Sequence, residues 1–461
     1  MEYSLPDQEI PFAGGLGVLA GDFLLEAGTQ SEVDFTALGL FYMPNPYNPE
    51  ELSWEKINFF PIVISNQQYF VTAWQKQFGS AKIVLFATDD GITHHPYGPD
   101  RETMIKQQIL LAQATDQLNI ISNDSVVHLN EGHTGFVPVP LQKRGLKPKI
   151  VCTKHTILHE AGLFLKREEL DGFEEIFNVG TDEKHPTDFS TTKFMIANSQ
   201  KGNAVSSSHA RFEKIAHPNS PLISITNGVN LDRWKAKNIE TLGLIDAHAQ
   251  NKQFMTDYLN KEIGSTLDSD ILTIVWARRL ATYKQPELIL TNLEKLGQLG
   301  NMGVQFIISG PVNPADPSSL SLASKFTDAA RKIPYLAFLP RHNIETASIL
   351  TKGADVWLNT PIIGKEACGT SGMKAGLNGA LQFSTNDGWI AEEDWSELGW
   401  ILPDENAAES LYRQITDLIA PMYYQNKGEW ESRMTKTSAL CVNKYSTKRM
   451  WNEYKEKLYL P

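Results

Sequence analysis

The chain has 461 residues, of which 41% are hydrophobic and 10% aromatic, and a formal net charge of −12. That length exceeds one ordinary core and implies two or three domains, and that composition excludes a largely disordered protein. The acidic balance disfavours nucleic acid as a partner, and no apolar run approaches the ~20 residues of a membrane-crossing helix. The start, Met1-Glu2-Tyr3-Ser4-Leu5-Pro6-Asp7, has neither a basic nor an apolar leader region, so no signal peptide is expected. The three cysteines Cys152, Cys368 and Cys441 are far apart and odd in number. They argue against a disulfide framework and fit a reducing cytosol, so a cytoplasmic location is expected.

Apolar strand-like runs alternate with amphipathic helical ones along most of the chain, at residues 81–86, 149–152, 271–275, 304–308 and 354–358. That alternation predicts an α/β protein with parallel sheets. The first glycine-rich stretch, Gly14-Gly15-Leu16-Gly17, opens a helical pattern running to about Gly28. Such a turn can cradle a phosphate with backbone N–H groups, although glycines also simply make tight turns. A helix to about Leu118 precedes His128-Leu129-Asn130-Glu131-Gly132-His133. Histidines beside a glutamate invite a metal reading, but the spacing does not fit one and no metal is expected. His155 ends the strand Val151-Cys152-Thr153-Lys154, at the carboxyl end where open parallel sheets bind ligands. Residues 193–215 read as a helix and a loop, with Asn203-Ala204-Val205-Ser206-Ser207-Ser208-His209 as a cleft-lining turn.

Residues 223–234 end a β-branched strand in Asn227-Gly228, a strong turn signal, and carry Trp234. The second half opens with the strand at 271–275, which exits into Arg278, Arg279 and Lys284. Guanidinium forks and a lysine point charge suit phosphate oxygens, and the end of a buried strand is a ligand edge. The stretch Glu366-Ala367-Cys368-Gly369-Thr370-Ser371-Gly372-Met373-Lys374 then passes from the exit of a buried strand into a helix predicted over 373–381. Gly369 and Gly372 let the backbone approach a ligand, and Thr370 and Ser371 add hydroxyl donors. Lys374 is placed in the first turn of that helix, where the dipole disfavours a cation, so an amine with its charge removed, as in a Schiff base, suits it.

These runs together resemble the α-glucan phosphorylases (the glycogen, starch and maltodextrin enzymes). The pattern Glu366 to Lys374 is similar to the family's segment that carries pyridoxal 5'-phosphate on its lysine, with Cys368 where serine is usual. The likeness extends to the start at residues 1–42, to 128–133 and to His155-Thr156. It continues through Asn203–His209, Asn227–Trp234, the Arg278-Arg279…Tyr283-Lys284 run with Gln285 in place of arginine, Asn386–Glu392 and the last helix at 445–459. It implies a GT-B fold, two Rossmann-like domains facing across a cleft, with domains at 1–226 and 227–435 and a C-terminal helix at 436–461 crossing back to the first. The family strand that precedes the Met1-Glu2-Tyr3 segment is not in the given sequence, so either the start is truncated or the first sheet is adapted to lacking that strand.

The activity implied is phosphorolysis of α-1,4-glucans or maltodextrins with inorganic phosphate, the cofactor phosphate relaying a proton. The resemblance assigns catalytic roles to Lys374, Arg279, Lys284, His155 and Glu366. It assigns cofactor contacts to Lys374, Thr370, Gly369, Arg278 and Trp234, and substrate contacts to Gly14, Gly15, Leu16, Asn227 and Cys368. It is compatible with a homodimer and implies neither a nucleic-acid nor a membrane partner. Two alternatives stay open: a nucleotide-sugar-dependent glycosyltransferase on the same fold, and a non-catalytic glucan-binding relative.

Overall fold

A computed structural model describes residues 2–6, 10–12, 14–43, 49–157, 162–170, 172–181, 187–312, 316–341 and 343–460. The chain divides into two units, Met1–Asn227 with Met450–Pro461, and Gly228–Arg449.

The first unit holds two four-stranded sheets. One has the order β1 (Thr36–Leu40), β4 (Ala81–Thr88), β3 (Gln67–Phe78), β2 (Glu55–Ile64), with β1 parallel to β4 and the rest antiparallel. The β2–β3 hairpin has no counterpart among the predicted elements. Its stretch Ile57-Asn58-Phe59-Phe60-Pro61-Ile62-Val63-Ile64 is apolar on both faces, which hides the period-two signal: Phe60, Ile62 and Ile64 are buried while Phe59 and Val63 are exposed. The loop is Ser65-Asn66 with positive φ at both residues, the twist that closes a two-residue hairpin. Strand β2 is an edge, and it is blunted. Gln113 takes both the N–H and the C=O of Val63, the N–H of Phe59 turns to Asn58 Oδ1, and Pro61 has no N–H to offer.

The second sheet is fully parallel in the order β10 (Ile223–Ser224), β9 (Lys201–Ala204), β6 (Lys149–Lys154), β5 (Val126–Asn130). Strand β9 replaces the expected loop between two helices, which run Thr191–Ala197 and Ser207–Ala216. Its sequence, Lys201-Gly202-Asn203-Ala204, carries no strand propensity, so tertiary pairing decides it. Gly202 is needed there because a Cβ would lie 2.6 Å from Cys152 Sγ. Two residues of β7 (Phe164–Leu165) pair with two of β8 (Phe189–Ser190). The helix Gly15–Ala27 ends where the pattern predicts. The chain's last turns pack onto this unit: Met450, Tyr454 and Leu458 bury against Leu19, Val151 and Ile225, and Trp451 against Phe41 and Leu85 in the neighbouring cluster.

The second unit is built on one six-stranded parallel sheet. Its strands are β11 (Leu272–Ala277), β12 (Val304–Ser309), β13 (Leu336–Leu339), β14 (Val356–Asn359), β15 (Leu381–Thr385) and β16 (Gly399–Leu402). The spatial order β13-β12-β11-β14-β15-β16 is the doubly wound order. Connections leave β11 and β14 in opposite directions, which opens a crevice at their carboxyl ends. Residues 436–449, expected in the crossing helix, stay with this unit. Residues 436–444 are the last turns of the helix Lys427–Lys444, and a separate helix begins at Thr447. Cys441 and Ser438 of the first pack against the short helix Ser371–Leu377, where Ser438 Oγ donates to Leu377 O at 2.8 Å and a Cβ on Gly376 would lie 2.5 Å from Cys441 Sγ. The short helix ends at Leu377, before the predicted 381, because Leu381 already pairs with Val356 in the sheet.

The turn expected at Asn227-Gly228 has a different physical basis. Gly228 is not among the residues of positive φ. It is glycine because a Cβ there would lie 2.3 Å from the Ser446 carbonyl oxygen, where Val229 pairs with Ser446. Gly228→Ala is therefore expected to destabilise the second unit by about 2–3 kcal/mol, the cost of an overpacked backbone contact. Thermal unfolding of the purified variant measures it, and an unchanged melting temperature would remove this account of the glycine.

Candidate functional site

In the second unit the sheet's crevice is lined by charge. Arg278 follows the last residue of β11, and Lys284 lies in the short helical turn Thr282–Lys284. Both are buried, and both face one carboxylate: Arg278 Nη2 is 2.9 Å from Glu366 Oε1 and Lys284 Nζ is 3.2 Å from Glu366 Oε2. Burial works to raise the Glu366 carboxyl, but the charges and hydrogen bonds of Arg278 and Lys284 outweigh it and hold it down at about 2. Burial and the neighbouring Arg278 charge lower the Lys284 amine to about 8, against the pull of Glu366. Arg279 is exposed, with the Tyr283 hydroxyl and Asp316 as its neighbours.

The loops that carry these groups are stitched together. Thr360, just after β14, accepts from Trp276 Nε1 at 3.2 Å and donates to Lys284 O at 2.7 Å, joining the exits of β11 and β14. Asp387 is buried, and its Oδ2 accepts from the N–H groups of Gly364 at 2.9 Å and Glu366 at 3.1 Å, which fixes where the Glu366 carboxylate starts. Gly369 is required by the same cluster, because a Cβ would lie 2.4 Å from Arg278 Nη2. Gly372 is required by Gln382, whose Oε1 would lie 2.5 Å from a Cβ. Cys368, on the same loop, is partly buried and in no disulfide.

Lys374 lies within the seven-residue helix Ser371–Leu377, with its N–H on Thr370 O at 3.2 Å. A helix that short has no separate first turn, so the dipole argument for discharging Lys374 does not apply. Thr370 caps the helix without a side-chain bond. The lysine is nonetheless in an unusual place. It is buried, and its Nζ sits 3.9 Å from the centroid of the fully buried Trp234 ring. Trp234 comes from the turn Leu231–Trp234, capped by Asn230 Oδ1 on Arg233 N.

The other site residues lie in the first unit. Gly14 and Gly15 form the start of the helix Gly15–Ala27, and among the described residues a Cβ on either would meet nothing within 4 Å. Leu16 is partly buried against the neighbouring apolar cluster. Asn227 is buried, with its N–H on Val205 O at 3.1 Å. His155 falls just past β6, and its ring Nε2 meets Asn130 Oδ1.

What the sequence did not reveal is how His155 is held. Glu131 sits at φ 71°, and its Oε2 accepts from His155 N at 2.8 Å and Thr156 Oγ1 at 3.1 Å while its Oε1 accepts from Gly132 N at 2.9 Å. Burial raises the Glu131 carboxyl, opposed by these bonds. Asp387 was also missed as a positioning group. Its signal was present in Asn386-Asp387-Gly388-Trp389, where an aspartate precedes a glycine at a turn. Among the described residues no group of three or more His, Cys, Asp or Glu side chains is placed to hold a metal.

The chain's similarity to known proteins fits this picture. Residues 324–393, which include Glu366 to Lys374, match the carbohydrate phosphorylase family model. The chain is 27% identical to the maltodextrin phosphorylase of Thermococcus litoralis, covering 100% of this chain and 70% of the relative. It is 26% identical to the glycogen phosphorylase of Aquifex aeolicus, covering 99% and 85%. In structure it is similar to the catalytic domain of starch synthase IV from Arabidopsis thaliana bound to ADP and acarbose, with a TM-score of 0.78 at 15% identity over 99% of this chain and 97% of that one. That likeness shows the GT-B fold.

The buried histidines of the first unit set an acid limit on stability. His128 bridges Thr153 Oγ1 at 2.7 Å and Tyr459 OH at 2.8 Å, and Thr153 donates on to Asn203 Oδ1 at 2.6 Å. Burial lowers His128 from 6.5 to about 4. Burial also lowers His155 and His209 to about 3, with His128 adding to it for His155 and the Lys154 charge for His209. The unfolded chain takes up these protons near pH 6.5 and the native chain does not, so stability is full above about 6.5 and is lost as pH falls toward about 3. Burial lowers His133 as well, and the raised Glu131 acts in the opposite sense, one group against four. The melting temperature is expected to fall over that window, with a shallower slope in His128→Gln. A melting temperature flat from pH 6.5 to 4 would refute the account.

Proposed function

We propose that the chain is an α-glucan phosphorylase, cleaving α-1,4-glucans from the non-reducing end with inorganic phosphate to give α-D-glucose 1-phosphate. The observation that supports this best is the buried Arg278–Glu366–Lys284 cluster at the crevice of the second sheet, on the same loop as a lysine buried on an indole ring. Cations buried at strand ends suit a phosphate, and a glycosidase would instead bring paired carboxylates. The residues also fit pyridoxal 5'-phosphate: Lys374 offers an amine for its aldehyde, Trp234 an aromatic face for its ring, and Arg278 with the backbone near Gly369 and Thr370 a setting for its phosphate. When bound, that cofactor supplies a phosphate able to take and return a proton beside the substrate phosphate.

The chain's own groups then have these tasks. Arg279, exposed and cationic, takes the incoming phosphate, and Lys284 shares its charge. Two phosphates held close repel each other, and the three cations offset that repulsion. In the reaction the glycosidic carbon–oxygen bond breaks, a phosphate oxygen bonds the anomeric carbon on the retained face, and the phosphate's proton passes to the leaving oxygen. His155, Asn227, Glu366 and Cys368 contact sugar hydroxyls. The N–H groups of Gly14, Gly15 and Leu16 contact phosphate or sugar, and the open space beside the two glycines leaves room for this. Free thiols suit a cytoplasmic setting.

The fold likeness to a synthase bound to ADP motivates a second reading, a nucleotide-sugar-dependent glycosyltransferase. Such an enzyme has no use for an amine buried on Trp234. Lys374→Ala separates the two. It is expected to abolish cofactor attachment and phosphorolysis with the melting temperature nearly kept. Borohydride reduction of the native protein followed by peptide mapping checks the attachment, and label on a different lysine would sink the assignment. Arg279→Ala is expected to cost ~2–4 kcal/mol of transition-state stabilisation, by analogy with removal of an oxyanion donor, and to act on phosphate more than on glucan. Initial rates against phosphate and, separately, against maltodextrin measure it. An unchanged phosphate dependence would exclude the role.

A further inference from the structure

The short helix that carries Lys374 ends on Asn378, a residue that no motif singled out. Asn378 is buried, and every polar group of its side chain is used on one of two segments. Its Nδ2 donates to Lys374 O at 2.9 Å and to Trp234 O at 3.0 Å. Its Oδ1 accepts from Ala236 N at 2.8 Å. One amide therefore ties the backbone of the lysine to the backbone on both sides of Lys235, directly beneath the indole. Its own carbonyl is held as well: His248 Nδ1 donates to Asn378 O at 3.1 Å, and His248 Nε2 lies 3.0 Å from Asp355 Oδ1. Asp355 is fixed in turn by Lys252 at 2.6 Å and by Thr273 N at 2.8 Å. The clamp is thereby anchored at the amino ends of β11 and β14, opposite the crevice.

We infer that Asn378 is the positioning residue that sets Lys374 against the Trp234 ring. The argument is geometric. A lysine has four rotatable bonds, and a 3.9 Å approach to one ring face persists only where both backbones are fixed relative to each other. Nothing else described bonds the Lys374 carbonyl and the Trp234 carbonyl through one group. An aspartate at 378 keeps the acceptor for Ala236 N–H and loses both donations. An alanine loses all three bonds. The inference rests on the reading of Lys374 as the cofactor lysine for its functional meaning, and not for its geometry.

The test uses the full chain with and without pyridoxal 5'-phosphate. Competitive acetylation with acetic anhydride, read by peptide mass, gives the reactivity of Lys374 relative to Lys154, a buried lysine of the first unit. In Asn378→Ala that ratio is expected to rise by about tenfold, the change that loss of about one buried hydrogen bond allows, and in Asn378→Asp by at least as much, since a carboxylate oxygen then faces two carbonyl oxygens. The borohydride-fixed cofactor yield at Lys374 should fall in the same order. A rise in both lysines together would mean general loosening and would overturn the positioning role. So would a ratio equal to the parent's in either folded variant. Amide hydrogen exchange in the unmodified chain reads the clamp without mutation: the Ala236 N–H is expected to exchange as slowly as the sheet amides, and fast exchange would overturn the proposal. If borohydride fixes no cofactor in the parent, the cofactor reading fails while acetylation and exchange still decide the clamp.

Discussion

Two cations and a carboxylate kept from water at one sheet edge constrain the whole second unit. Burying Arg278, Lys284 and Glu366 costs desolvation energy that only close mutual contact offsets, and removing one partner would leave the others uncompensated. That demand explains residues with no chemistry of their own. Asp387 must be aspartate because it fixes the Glu366 backbone. Thr360 must have a hydroxyl because it joins the two strand exits. Gly369 must lack a Cβ because the Arg278 guanidinium passes over it. The parallel sheet supplies the rest, since β11 and β14 are the two strands whose connections part and leave room for charge.

Much of this was legible in the sequence, and the reasons are specific. The strand before Arg278 reads as Ile271-Leu272-Thr273-Ile274-Val275, an apolar run that only a strand buried on both faces tolerates. Cations at its end therefore had to sit at the carboxyl edge of the sheet, where Arg278 and Lys284 are found. The helix Gly15–Ala27 was legible because its glycine start and apolar spacing agree. Strand β9 was not, because Lys201-Gly202-Asn203-Ala204 is made a strand by the neighbours that pair with it. The β2–β3 hairpin was not, because a face left exposed yet apolar erases alternation. Glu131 and Asn378 were invisible for a common reason: each acts through backbone groups of distant segments, and a sequence shows side chains but not which backbone they will meet.

The first unit shows how a departure from a family pattern can be absorbed. Lys154 stands beside His155, just before the His155-Thr156 pair to which the likeness is confined at this strand end. The structure buries that lysine and pairs it with Glu213 at 2.5 Å, both side chains almost wholly enclosed. A buried ion pair adds little stability over an apolar pair, but it fixes geometry if both partners are held. Here the partners link the end of β6 to the helix Ser207–Ala216, the two elements on either side of β9. His155 is thus bordered by two carboxylates with different tasks. Glu131 bonds its backbone, and Glu213 neutralises its neighbour.

The glycines of the two loops, alike in sequence, differ in physical cause. Gly369 and Gly372 were read as room for a ligand, yet the space a Cβ would take is already filled by Arg278 and Gln382. They are glycines because the protein packs its own side chains onto them, and the ligand side of that loop is presented by the side chains they admit. Gly14 and Gly15 are the reverse case. Gly14 has an extended backbone that any residue adopts, and among the described residues neither glycine meets a neighbour where its Cβ would be. Neither strain nor packing among the described residues asks for glycine there, although glycine costs conformational entropy. The two loops therefore use one residue type in opposite ways: the Gly369 loop is a mount for the Arg278 guanidinium, and the helix start at Gly15 leaves its own backbone uncovered.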